Sequence, residues 1–127
     1  MKLLLDTSIF LWYISGDKKL KPKQRSLIRD PKNDVYVSVI SIWEASVKQL
    51  NGKLDLPEYA GTYLPRMREL HRFLPLDFSE SSLIHLQHLP LYHHDPFDRM
   101  LICQALQEHL TLVTSDKLIK RYPVKIV

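Results

Sequence analysis

Five acidic side chains fall where the chain changes from one backbone pattern to another. Asp6 follows the apolar run "KLLL" (2–5), Glu44 lies inside "SIWEAS", Asp95 and Asp98 flank Pro96-Phe97 in "HHDPFDRML", and Asp116 ends "LTLVTSD". Carboxylates gathered in one place repel one another and hold their protons more tightly unless a cation neutralises them. A hard divalent cation does so through oxygen ligands; Mg²⁺ takes one or two carboxylates directly and keeps several waters. Such waters are more acidic than bulk water and suit attack on a phosphoryl centre, while acids left off the cation can orient the attacking water or take its proton.

Each acid also has a plain structural reading. Asp6 and Asp95 suit helix N-caps, Asp95 can pair with Arg99 four residues on, Glu44 can close a capping box with Ser41 and pair with Lys48, and Asp116 can simply end a strand. Asp98 resists these readings. It stands past the cap between Phe97 and "MLI", with Ile102 at i+4 and only His94 at i−4, so its carboxylate either tips into solvent or faces something cationic.

The elements that would position these acids alternate. "KLLL" reads as a strand buried on both faces, and "DTSIFLWYISG" as a helix capped at Asp6 or Thr7 and stopped at Gly16. "VYVSVI" (35–40) is a β-branched and aromatic strand that leads into "SIWEASVKQLNG" (41–52), a helix opened by the Ser41-x-x-Glu44 box. Pro57 opens a further helix through "EYAGTYLPRMREL", "RFLPLD" (72–77) is a short strand, and Ser79 caps the next helix. Asp95 as cap and Pro96 at the first helical position begin "FDRMLICQALQEH" (97–109), and "LTLVTSD" (110–116) and "VKIV" (124–127) are the last strands. This alternation predicts an α/β domain, a mainly parallel sheet covered by helices on both faces. In such sheets ligands bind beyond the carboxyl ends of the strands, where all five acids fall.

The chain has 127 residues, 45% of them hydrophobic and 25% charged, with no repeat or low-complexity linker, and is read as one domain over 1–127. A net charge of +4 leans toward anionic partners. One cysteine, Cys103, excludes an internal disulfide and fits a reducing compartment. Asp6 interrupts the apolar start, no small-x-small cleavage site follows, and no run approaches the ~20 apolar residues of a membrane span, so a cytoplasmic protein is expected. Six histidines, His85-x-x-His88 and His93-His94 among them, raise a structural zinc site, but a single cysteine and the amphipathic character of 83–89 argue against it. Basic residues cluster at Lys18, Lys19, Lys21, Lys23, Arg25 and Arg29 and at Lys117, Lys120, Arg121 and Lys125. They form either a solvated face or a track for RNA phosphates. Phe10, Trp12 and Tyr13 read as core, or as part of an interface groove.

Four segments in order, "LLLDTSIFLW", "SIWEASVKQLNGKLDLP", "HHDPFDRMLICQAL" and "LTLVTSDKLIKRYPVKIV", resemble the successive motifs of PIN-domain ribonucleases, specifically VapC-type toxins of prokaryotic toxin–antitoxin pairs, along the whole chain. The resemblance implies a three-layer α/β/α domain around a central, mainly parallel sheet of four to five strands, and a Mg²⁺- or Mn²⁺-dependent endoribonuclease leaving 5′-phosphate and 3′-hydroxyl ends. By position, Asp6, Glu44, Asp98 and Asp116 match the family's acids and would hold the metal; Asp95 is the added acid of the subgroup bearing "DPFDR". Thr7 or Ser8 and Thr114 or Ser115 would be the pocket hydroxyls, and His94 and Arg99 would touch RNA. His94 stands where relatives often carry arginine, and Ser8 where some carry histidine. An antitoxin partner and a homodimer are implied in the same way. Two other readings remain: a non-catalytic PIN-like module that binds RNA or protein, and a phosphatase with Asp6 as nucleophile, which would want a second aspartate where Ser8 stands.

Overall fold

The computed structural model describes residues 1–127. Four parallel strands, β1 (Lys2–Leu5), β2 (Asp34–Ser38), β3 (Leu74–Leu76) and β4 (Thr111–Val113), form one sheet in the order β3-β2-β1-β4. β1 is central, and its side chains alternate between two cores. Leu3 and Leu5 pack with Ile9, Phe10, Ile28 and Leu64 on one face, whereas Leu4 packs with Leu101, Ile102, Leu112 and Ile119 on the other. That is why Leu3, Leu4 and Leu5 are apolar without interruption. Helices α1 (Thr7–Ser15), α2 (Pro22–Arg29) and α4 (Ala60–Leu70) cover the first face, α5 (Pro96–Gln107) covers the second, and α3 (Val39–Leu50) contributes to both.

Three helix ends follow their sequence signals. Asp6 caps α1 by accepting from the Ile9 N–H at 2.8 Å, and Gly16 ends it at φ 70°, a left-handed position open to glycine. Asp95 caps α5, its Oδ1 accepting from the Phe97 and Asp98 N–H groups, with Pro96 at the first position.

Other boundaries move, two of them where a residue on another helix takes part in the cap. α3 begins at Val39 rather than Ser41: Ser38 accepts from the Ile40 N–H at 2.9 Å and donates at 2.5 Å to Gln104 Oε1 on α5. The expected Ser41–Glu44 capping box therefore does not form, and Glu44 sits in the second turn with its carboxylate free for other work. α4 opens at Ala60 instead of Pro57, because Gln49 Oε1 reaches across from α3 to accept the Ala60 N–H at 2.9 Å. Ser79 does not cap the backbone; its hydroxyl meets those of Ser81 and Ser82, and Glu80–His88 is a 3₁₀ segment. "VKIV" lies parallel beside β4 through a single bridge, Leu112 to Ile126, and is not a full strand. Helix α2 is short and mostly polar; Ile28 and the buried Gln24, which donates to the Thr114 carbonyl at 3.0 Å, dock it. No helix is long and apolar enough to cross a membrane. Phe10 is wholly buried and so lies in the core, not in a groove.

Candidate active site

β2 and β4 flank β1 on opposite sides, so the chain's crossovers diverge there, and the crevice beyond the strand ends is the natural binding position of such a sheet. The Asp6 N–H bonds the Val113 carbonyl at 3.0 Å, which fixes the first acid against the exit of β4. A pocket of about 230 Å³ opens at this point, lined by Asp6, Thr7, Ser8, Trp12, Glu44, Lys48, Asp95, Asp98, Ser115 and Asp116. All five acids singled out in the sequence thus meet in one pocket.

Each is held by a different element. Asp6 stands at the β1–α1 junction and is 5% exposed, its carboxylate supported by the Ile9 N–H and the Thr114 hydroxyl. Glu44 reaches in from α3, is 3% exposed, and takes 2.7 Å and 2.6 Å contacts from the Thr7 hydroxyl and Lys48 Nζ. Thr7 Oγ1 also lies 3.0 Å from Ser41 Oγ. Asp98 sits one turn into α5 beside the capping Asp95, and Asp116 follows β4, its N–H bonded to Thr114 Oγ1 at 3.0 Å.

The crowding changes their acidity. Burial pushes the Asp6 carboxyl up to about 6, with the charges of Glu44 and Asp116 adding to the effect against its two hydrogen bonds. Burial also pushes Asp98 up to about 7, reinforced by Asp95, Glu44 and Asp6 and opposed by His93. Lys48 is the one ammonium among the five carboxylates. Burial alone would lower its pKa, but the hydrogen bond and charge of Glu44, with Asp95 and Asp98 behind, hold it above the ordinary lysine value.

A folded state whose carboxyls keep protons to about 6 and about 7, when the unfolded chain releases them near 3.8, is the tighter proton binder. Folding stability without a cation must therefore fall as pH rises from about 4 toward 7. For Asp6 alone the cost of ionisation is about 3 kcal/mol. Thermal melts in chelator are expected to show stability declining between about pH 5 and pH 7.5. A maximum at the upper end of that range would contradict the burial of these charges.

The donor set fits a hard divalent cation. It is almost wholly oxygen, it carries an excess of negative charge that Lys48 does not balance, and it contains a buried hydroxyl, Ser115 Oγ, with no hydrogen-bond partner. The His85-x-x-His88 pair offers no comparable site, since His85 is tied to Gln107 at 2.9 Å.

Two residues take roles the sequence did not suggest. His93, named there only among the histidines that raise a zinc site, is buried behind the pocket with Nε2 at 2.7 Å from Asp116 and 3.0 Å from Asp98, so Asp98 does face a partner. Arg99 is a correction. Far from being placed to pair with Asp95 or meet RNA, it is 9% exposed and its guanidinium donates to the carbonyls of Leu89, Pro90 and His93 and to the Tyr122 hydroxyl. His94 is exposed and does not line the pocket. The spacing of Lys48 from Glu44 was a readable signal; nothing local marks His93.

Fold and site together define a parallel α/β domain with a multi-carboxylate pocket at its central crevice. The family model described as PIN domain matches residues 3–125, and the chain belongs to the PIN domain family. Among solved structures it is similar to VapBC2 from Rickettsia felis bound to a DNA fragment from their promoter, at 21% identity and TM-score 0.74, covering 100% of this chain and 98% of that one. It is also similar to DNA-bound VapBC from Salmonella typhimurium, at 19% identity and TM-score 0.70, with 100% and 97% covered. A toxin–antitoxin complex from Klebsiella pneumoniae matches at 21% identity and TM-score 0.65, with 98% and 95% covered. These likenesses establish the three-layer fold. No curated protein is matched by sequence comparison.

Proposed function

We propose that the protein is a Mg²⁺- or Mn²⁺-dependent endoribonuclease, the toxin of a toxin–antitoxin pair, acting on RNA in the cytoplasm. The observation that carries this reading is the convergence of five carboxylates from four elements on one pocket, two of them pushed toward neutrality. Asp6, Glu44, Asp98 and Asp116 would hold the cation, which when bound polarises a phosphoryl oxygen and makes water a better nucleophile.

The chain's own groups do the rest. Thr7 and Lys48 orient Glu44, while Thr114 and the Ile9 N–H orient Asp6. Asp95, left off the cation, stands to take the proton of the attacking water, Ser8 and Ser115 offer hydroxyls to the pocket wall, and exposed Lys117, Lys120, Arg121 and His94 guide the RNA backbone. The similar structures that are toxin–antitoxin complexes support an antitoxin partner for this chain, and a homodimer is the expected assembly.

Purified protein incubated with single-stranded and folded RNA is expected to cut internally with Mn²⁺ or Mg²⁺, leaving 5′-phosphates, and not in chelator. RNA binding without cleavage under either cation would point to a non-catalytic module instead, and a trapped aspartyl-phosphate on Asp6 to a phosphatase. Co-expression of a small DNA-binding protein encoded beside the gene is expected to relieve growth arrest.

A further inference from the structure

Every polar atom of His93 is committed. Its N–H donates to the Tyr122 hydroxyl at 2.8 Å, and its carbonyl accepts from Arg99 at 3.4 Å. Its Nδ1 accepts the Asp95 N–H at 3.1 Å, and its Nε2 lies 2.7 Å from Asp116 Oδ2 and 3.0 Å from Asp98 Oδ2. A backbone N–H can only donate, so Nδ1 is the unprotonated nitrogen and the ring proton sits on Nε2, facing two carboxylates. Nε2 could instead ligate a cation only if that proton moved to Nδ1, where it would confront the Asp95 N–H. The hydrogen bonding therefore separates imidazole as donor from imidazole as ligand, although Nε2 and the two carboxylates lie close enough together to surround an ion.

We propose that His93 is a positioning residue whose Nε2–H ties the Asp98 carboxylate on α5 to the Asp116 carboxylate after β4, setting the spacing of two oxygens that a hard divalent cation would use. This rests on reading the pocket as a cation site. The two acids sit on separate elements and repel one another, so without a shared donor nothing between them holds their oxygens together. The ring itself is immovable: the backbone on either side of it is pinned by Tyr122 and Arg99, and Tyr122 donates in turn to the Pro90 carbonyl at 2.6 Å. Groups that orient ligating side chains in this way typically contribute about 10–100-fold in metal affinity.

Calorimetric titration of Mg²⁺ and Mn²⁺ into the full chain tests this, using wild type, His93→Phe and His93→Gln, with melts to verify folding. His93→Phe keeps the ring's bulk and is expected to bind about 10–100-fold more weakly. His93→Gln, whose amide places a donor near the position of Nε2, is expected to stay within about threefold of wild type. Imidazole ¹⁵N shifts of wild type should report the proton on Nε2 both without cation and with Mg²⁺, a readout that holds even if His93→Phe does not fold. Loss of that proton on adding Mg²⁺ would make His93 a ligand and overturn the proposal. So would unchanged affinity in His93→Phe, or an equal loss in His93→Gln and His93→Phe. A wild-type protein that binds neither cation would overturn the cation reading itself and the positioning role with it, which separates the two failures.

Discussion

Asp98→Asn is expected to lower Mn²⁺-dependent RNA cleavage by about 10³-fold, equivalent to about 4 kcal/mol of transition-state stabilisation, and to abolish growth arrest on expression. The same substitution is expected to stabilise the cation-free fold. Asp98 ionises only at about 7 because its charge is buried beside Asp95, Glu44 and Asp6, and an amide of the same shape carries no such charge while its oxygen can still lie against His93 Nε2. A gain of about 2 kcal/mol near pH 7.5, or a rise of roughly 6–8 °C in Tm, should follow in chelator. Activity and stability moving in opposite directions is the signature of a group kept for function at the fold's expense. Adding Mn²⁺ should raise the wild-type Tm and leave the variant's almost unchanged. A variant that cut RNA as fast as wild type would remove Asp98 from the pocket's chemistry.

Arg99→Met is expected to have the largest effect on stability, a loss of about 3–5 kcal/mol, enough to lower Tm by about 10–20 °C. Methionine fills the volume but returns none of the donors that satisfy the carbonyls of Leu89 and His93, while the Pro90 carbonyl keeps only the Tyr122 hydroxyl. Buried acceptors left without partners cost about 1–3 kcal/mol each, which outweighs the gain from burying a thioether in place of a guanidinium. Arg99→Lys should recover only part of the loss, because a single ammonium cannot span the positions that a planar guanidinium reaches. An unchanged Tm with weakened RNA binding would return Arg99 to the role of substrate contact. Since Arg99 supports the loop carrying His93, cleavage should fall along with stability, and chemical denaturation followed by activity on the folded fraction tells the two apart.

The parallel α/β fold was legible because its signals are local. Leu3, Leu4 and Leu5 are apolar in succession, as a strand buried on both faces requires, and they are indeed split between two cores. Asp6, Gly16, Asp95 and Pro96 act within one helical turn of themselves, so their residue types were enough to place the ends of α1 and α5. The acids were legible for a related reason. All but Glu44 follow strands or open helices, and in a parallel sheet those positions share one edge.

What the sequence could not carry was any partner supplied from another element. Ser38 rather than Ser41 caps α3 because Gln104 on α5 meets its hydroxyl, and Gln49 on α3 decides where α4 begins. "DPFDR" suggests that Arg99 serves an acid or RNA, yet the fold turns it inward against three carbonyls.

By itself, then, the sequence determined the class of fold, the acids and which of them begin helices, because capping and periodicity act over a few residues. Only the tertiary structure decided that Arg99 would brace a loop and that His93 would stand between Asp98 and Asp116. The physical reason is the strand order: β4 closes beside β1 and brings Asp116 against the start of α5, a proximity that no local interaction encodes.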